Sequence, residues 1–220
     1  MTTIRPLMLA IQNRSLAEAK AALERDASQA VEALPGGISP LMYALYNGAR
    51  DIADLLRALA GEMSVFEAAA YGDAMRVAAC VVADSRLLQA RSPDGWTPLH
   101  LAAFFGNRDA MLLLVALGAP LEAVSENPMQ NTPLHAGIAG AGGEQLAPLL
   151  LALGANAQHV GGSGINSLHL AALRGYEPLV RLLLARGADR MGKSEDGKTA
   201  ADLARERGHL ATAAALELPM

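Results

Sequence analysis

The sequence predicts an all-α solenoid of seven stacked helix–turn–helix units, and three observations predict it. First, a short motif recurs. Thr97-Pro98-Leu99-His100-Leu101-Ala102 returns as Thr132-Pro133-Leu134-His135-Ala136, and in relaxed form as Asn166-Ser167-Leu168-His169-Leu170-Ala171, at spacings of 35 and 34 residues. Second, a glycine follows nine residues after most of these anchors: Gly48, Gly72, Gly106, Gly175 and Gly208. Third, in units four to six an apolar stretch with helical spacing ends in Gly-Ala, at Gly118-Ala119, Gly154-Ala155 and Gly187-Ala188. Self-similarity at a fixed period of 20–50 residues marks units that bury their apolar faces only against one another.

Taken in order, the anchors fall near residues 5, 39, 63, 97, 132, 166 and 199. Within each unit, Ser or Thr at the anchor is a good N-cap, because its oxygen accepts from an otherwise orphaned helix N–H. Proline one residue later suits the first helical turn, where its missing donor is not needed. The closing glycine tolerates the left-handed conformation that stops the first helix. Met111-Leu112-Leu113-Leu114 and Leu179-Val180-Arg181-Leu182-Leu183-Leu184 have the spacing of second helices. The ten or so residues that follow, such as 189–198, form the turn into the next unit.

Three units depart from the pattern. The spacing from Ser39 to Met63 is only 24 residues, which leaves no room for a hairpin between Leu59 and Met63 and predicts a notch in the row of turns. The fifth unit has one extra residue near Gly142-Gly143, and its approach loop 125–130 is one longer. The last unit ends in Leu210-Ala211-Thr212-Ala213-Ala214-Ala215-Leu216, a nearly uncharged helix where a polar cap is expected.

The Thr-Pro-Leu-His-x-Ala signature at about 33 residues resembles the ankyrin repeat family. In this register the resemblance covers the chain, and it implies one ankyrin repeat domain over residues 1–220, with short β-hairpin turns between the helix pairs. It also implies that partners dock on the concave face, lined by hairpin tips and first helices, and that the signature histidines are structural.

Composition bounds the function. Just over half the residues are hydrophobic and 18% are charged, so the chain is a folded one. A net charge of −4 argues against a nucleic-acid binder, which needs clustered cations. One cysteine forms no intramolecular disulfide, and residues 1–6 lack the charged-then-apolar pattern of a secretory signal, so none is expected. No apolar run approaches bilayer length, so no membrane association and a cytoplasmic location are expected.

No constellation of catalytic residues emerges. His100, His135 and His169 lie one per unit, and helices in neighbouring layers are about 8–10 Å apart, too far to share one metal ion. His209 and His159 read as surface turn residues. Cys80 sits in the apolar helix Val77–Val82 and reads as a buried, inert thiol. The glycine runs 140–143 and 161–164 lack the lysine and the strand context of a phosphate loop. The expectation is a non-enzyme with no cofactor and no metal.

The resemblance places the two residues before each closing glycine on the exposed surface. These pairs are Gln12 and Asn13, Tyr46 and Asn47, Ala70 and Tyr71, Phe104 and Phe105, Leu173 and Arg174, and Glu206 and Arg207; Trp96, just before an anchor, faces the same side. Five of the eight aromatic residues (Tyr46, Tyr71, Trp96, Phe104, Phe105) thus fall on one predicted face in units two to four. Aromatics dominate interface hot spots. Beside them, 109–173 contains no lysine or arginine, and interface cores are depleted in charge.

The expected function is a protein-interaction module, monomeric, binding a partner protein through these aromatics, with Pro93, Asp94, Met129, Asn131 and Ile165 contributing from the hairpin side. Alanine at Trp96 and Phe105 together should abolish binding and leave helix content intact. Two alternatives carry tests of their own. One is a self-assembling homodimer joined through the apolar final helix. The other is a small-ligand site in the notch around Gly61 to Met63, which requires a deep pocket lined by convergent polar groups.

Overall fold

A computed structural model describes residues 5–217, and these contain fourteen α-helices in consecutive pairs. The first helices are α1 (Pro6–Gln12), α3 (Pro40–Tyr46), α5 (Val65–Tyr71), α7 (Pro98–Phe104), α9 (Pro133–Ala139), α11 (Ser167–Arg174) and α13 (Ala200–Glu206). Their partners are α2 (Leu16–Arg25), α4 (Arg50–Leu59), α6 (Ala74–Ala83), α8 (Arg108–Ala116), α10 (Gly143–Ala152), α12 (Glu177–Ala185) and α14 (Leu210–Glu217). Each first helix packs on the next, so α1, α3, α5, α7, α9, α11 and α13 form one continuous layer.

The caps explain why the first helices start where they do. Ser39 accepts from the Met42 N–H at 3.2 Å, and Ser64, Thr97 and Thr199 cap α5, α7 and α13 in the same way. In α7 the box is reciprocal, because His100 Nδ1 returns a hydrogen bond to the Thr97 backbone. The third anchor is therefore Ser64, one residue later than the Met63 register expected. Gly72 itself caps α5, as Gly175 caps α11, with a φ of +95° that an L-residue rarely adopts.

The first-helix layer is tight because its inward positions are small. Ala68, Ala69, Ala102, Ala103, Ala136, Ala171 and Ala172 are fully buried, while Leu99, Leu114, Leu134, Met111, Ile138 and Leu150 fill the space towards the second helices. Interaxial distance follows side-chain size at the contact, so alanine brings successive units close enough to bury backbone and leucine together.

The turns between units are tight tips without strand ladders; one isolated antiparallel bridge, Val160 with Asn166, is the only β pairing among the described residues. The same bond closes four of them: Leu34 to Ile38, Ser92 to Trp96, Gly161 to Ile165 and Ser194 to Lys198, each N–H to carbonyl at 2.8–2.9 Å. In the fifth unit it runs from Ser125 to Asn131, a span two residues wider than the others and so longer than the one-residue insertion expected. Short 3₁₀ turns at Ala27–Ala30 and Ser85–Leu88 precede two of the tips.

Candidate functional site

Neighbouring tips are chained by backbone hydrogen bonds: Glu126 N–H to Gly95 O, Gly162 N–H to Met129 O, and Glu195 N–H to Ser163 O, at 2.7–2.9 Å. The chain of bonds starts at the fourth unit. The third unit has no tip, since five residues (60–64) join α4 to α5. Across that gap the second and fourth tips come so close that a methyl group on Gly37 would make contact with Pro93 Cγ at 3.4 Å. Beneath this close approach lies a cleft of about 290 Å³, lined mainly by Ile38, Met42, Tyr46, Phe66, Glu67 and Asp94. The notch expected from the short spacing is thus divided between this cleft and a separate depression at Gly61 to Met63.

Tyr46 forms one wall. Its hydroxyl donates to Asp94 of the fourth tip, 48 residues away, and Ser92 donates to the same carboxylate. Burial, then the bond to Asp94 and its charge, raise the Tyr46 hydroxyl far above its ordinary range, so the phenol stays protonated and Asp94 stays the acceptor. On the other side, Glu67 closes the capping box of α5 and also accepts from Ser39 Oγ at 2.6 Å.

The Tyr46 ring continues into an aromatic cluster. It lies 6.2 Å from Phe104 and 5.2 Å from Phe105, and these two meet edge to face at 5.2 Å. Tyr46 and Phe104 belong to units two and four. Counting back from the closing glycine, the third unit offers only the buried Ala70 at the corresponding place, so the rings meet across it. Tyr46, Phe104 and Phe105 are half-buried.

Two expected anchors are corrected. Trp96 is only 6% exposed: its ring stacks on His100 at 6.0 Å and meets Phe104 edge-on at 5.0 Å. It is a core residue, because the tip closed by Ser92 folds the chain back and turns the indole inward. Asn131 is 8% exposed; its carbonyl accepts from His100 Nε2 at 2.9 Å and its N–H is held by Ser125 Oγ. Ala70, placed on the surface by the same register, is buried as well.

Tyr71 is half-buried but stands apart from the cluster. Its ring lies under the Arg50 and Arg57 guanidinium groups of α4, at 3.8 and 4.9 Å, and its hydroxyl donates to Asp54 at 2.6 Å. Of the tip residues, Pro93 and Met129 are exposed, and Asp94 and Ile165 half-buried. The structure thus brings together Tyr46, Phe104, Phe105, Pro93 and Asp94. Phe66, Glu67, Ile38 and Met42, which line the cleft, were missed, although the 24-residue spacing marked the place where it opens.

The signature histidines cap helices. His100 and His169 donate from Nε2 to the Asn131 and Lys198 carbonyls, at 2.9 and 3.1 Å, and accept at Nδ1. Burial pushes His100 down to about 4 and His135 to about 3, and lowers His169. His159 is half-buried, bonded to the Gln130 carbonyl and 5.2 Å from the His135 ring. His209 packs against Gly175. Among the described residues no three metal-ligating side chains converge.

The depression at Gly61 to Met63 is walled by charges that neutralise one another: Arg57 pairs with Asp73 and Arg76 with Glu62, both at 2.9 Å. Among the described residues no helix is long and apolar enough to cross a membrane.

Two family profiles match the chain, "Ankyrin repeats (3 copies)" over residues 65–159 and "Ankyrin repeats (many copies)" over residues 150–204, together more than half its length. The chain belongs to the ankyrin repeat family. It is 37% identical over 120 residues to a B-cell lymphoma 3 protein homolog of Mus musculus, covering 54% of this chain and 26% of that protein. It is 34% identical over 148 residues to a transient receptor potential cation channel subfamily A member 1 homolog of Caenorhabditis elegans, covering 67% and 12%. A probable E3 ubiquitin-protein ligase of Oryza sativa is 37% identical over 115 residues, covering 51% and 22%. The chain therefore spans about a quarter or less of the length of these relatives. Ankyrin repeats are generally protein–protein interaction modules, and ankyrin repeat domains are typically non-catalytic.

Proposed function

We propose that this chain is a non-catalytic protein-interaction module, one ankyrin repeat domain over residues 1–220, that binds a partner protein through the concave face of tips and first helices. The observation that carries the reading is the half-buried cluster Tyr46, Phe104 and Phe105, which spans three units beside exposed Pro93. Rings already held by one another lose little rotamer freedom on binding, which is what makes aromatics effective hot spots. Met129 and Ile165 extend the face along the next two tips. Trp96 and Asn131 hold it in place from below, and Tyr71 lies outside it. The protein acts as a monomer in the cytoplasm, and no cofactor takes part.

The test is retention of a partner from native lysate by the wild type and by Phe105→Ala, with Met75→Ala on α6 as control, since Met75 is 80% exposed. Loss in the first variant alone supports the reading. Equal loss in both, or in the Met75 variant alone, refutes it.

The self-assembly alternative draws on one observation. In α14, Thr212, Ala213, Ala215 and Leu216 are buried against the stack, while Leu210 remains 69% exposed at the end of the solenoid. Light scattering that shows a strict monomer across the micromolar range removes it.

A further inference from the structure

The cleft between the second and fourth tips has a chemistry of its own. Its walls are apolar: Ile38 and Met42 from one side, Phe66 from the tipless unit, Pro93 from the other. Two carboxylates, Glu67 and Asp94, open into it. Both accept from hydroxyls, Glu67 from Ser39 and Ser64, Asp94 from Tyr46 and Ser92. A hydroxyl donor leaves the negative charge in place, and among the described residues neither carboxylate is within ion-pair distance of a cation. No lysine, arginine or histidine lines the cleft.

This contrasts with the depression on the other side of the third unit, where Arg57 and Arg76 neutralise Asp73 and Glu62. At about 290 Å³ the cleft is at the small end of sites for whole small molecules, about 300–1,000 Å³, and is the right size for one long side chain. Lysine and arginine have this dual character, an aliphatic stem that packs on apolar walls and a charged head that seeks an acceptor.

We infer that this cleft receives an arginine or lysine side chain of the partner protein, the stem lying between Ile38, Met42, Phe66 and Pro93 and the head reaching Glu67 and Asp94. The inference rests on the concave-face reading and adds the partner's chemistry: a basic residue on an exposed segment. The missing third tip is then what makes the site, because a regular hairpin there would stand between Gly37 and Pro93 and hold the two walls of the cleft apart.

The test titrates the isotopically labelled full chain with acetyl-arginine amide, acetyl-lysine amide and the neutral acetyl-norleucine amide, following backbone amide resonances. Saturable shifts at Gly37, Ile38, Ser64, Phe66 and Asp94 are expected with the two cationic probes and not with norleucine. Glu67→Gln should weaken the arginine probe by about fivefold, the upper end for one part-exposed charge pair. Glutamine at that position keeps the capping box, and the dispersion of the amide spectrum reports whether α5 is intact. Absence of saturable shifts, equal shifts with norleucine, or unchanged affinity in Glu67→Gln would each overturn the inference. A partner lost with Phe105→Ala from a chain whose cleft ignores the arginine probe would sink this inference alone and leave the concave-face reading standing.

Discussion

Acidification from pH 7.5 to pH 5 should destabilise this protein, and the size of the effect can be worked from two histidines. His100 and His135 are fully buried, and burial depresses them to about 4 and about 3 in the folded chain, against 6.5 for an exposed imidazole. A depressed folded value means that the unfolded chain binds the proton more readily. The stability from keeping each ring neutral is therefore complete above pH 6.5 and is lost as pH falls towards 4 for His100 and 3 for His135. Between pH 7.5 and pH 5 the linkage relation gives about 2 kcal/mol for each ring, about 4 kcal/mol together.

His169 shifts in the same direction and adds to the loss. Asp26, Asp84 and Asp202 are lowered below 3.8 and so stay ionised through this window. With an m-value of about 2 kcal/mol per molar, the urea midpoint should drop by about 2 M. The assay is urea unfolding followed by circular dichroism at pH 7.5 and pH 5. A His100→Gln/His135→Gln variant, weaker at neutral pH, should show a much smaller drop. A wild-type midpoint that moves by less than about 0.5 M would refute the picture of two buried, neutral cap histidines.

Other expectations follow from single contacts. Trp96→Ala should cost about 3–5 kcal/mol of stability, read as a lower urea midpoint, and any loss of binding should track unfolding. A methyl group on Gly140 would sit 1.9 Å from the Phe104 carbonyl oxygen, which already accepts the Ala141 N–H; Gly140→Ala should cost about 3 kcal/mol. Gly154 has open space but a φ of +103°, so Gly154→Ala should cost only about 1 kcal/mol, as backbone strain. Comparing the two by thermal melts separates steric clash from strain. Tyr46→Phe removes the donor to Asp94 and should lower stability by about 1 kcal/mol; an unchanged melting temperature would contradict the bond across the third unit.

Much of the fold was legible because the repeat imposes the same local chemistry each time. Ser39, Thr97 and Thr199 are caps in the sequence and caps in the structure, and the five closing glycines, Gly48, Gly72, Gly106, Gly175 and Gly208, all have the positive φ their position demands. The candidate site was legible only in part. Reading Trp96 as a surface residue treated each unit alone, but burial in a solenoid depends on how a tip folds back on its own helix. The available signal was the four-residue spacing of His100 and Phe104, which share a face of α7, with Trp96 in the turn just before its N-cap. Tyr71 went to Arg50 and Arg57 of the preceding unit, a cation–π pairing that the repeat register does not show. The cleft was hidden for a different reason: it is formed by tips 58 residues apart in the chain, Gly36 and Asp94 among their residues, and only the missing third tip brings them together.

The most direct test of the central claim is site-specific photo-crosslinking in native lysate. A photoreactive side chain is placed either at Pro93, on the fourth tip, or at Met75, on the exposed side of α6. The account predicts one protein crosslinked from position 93 and absent from position 75. The same protein captured from position 75 and not from 93 would contradict it.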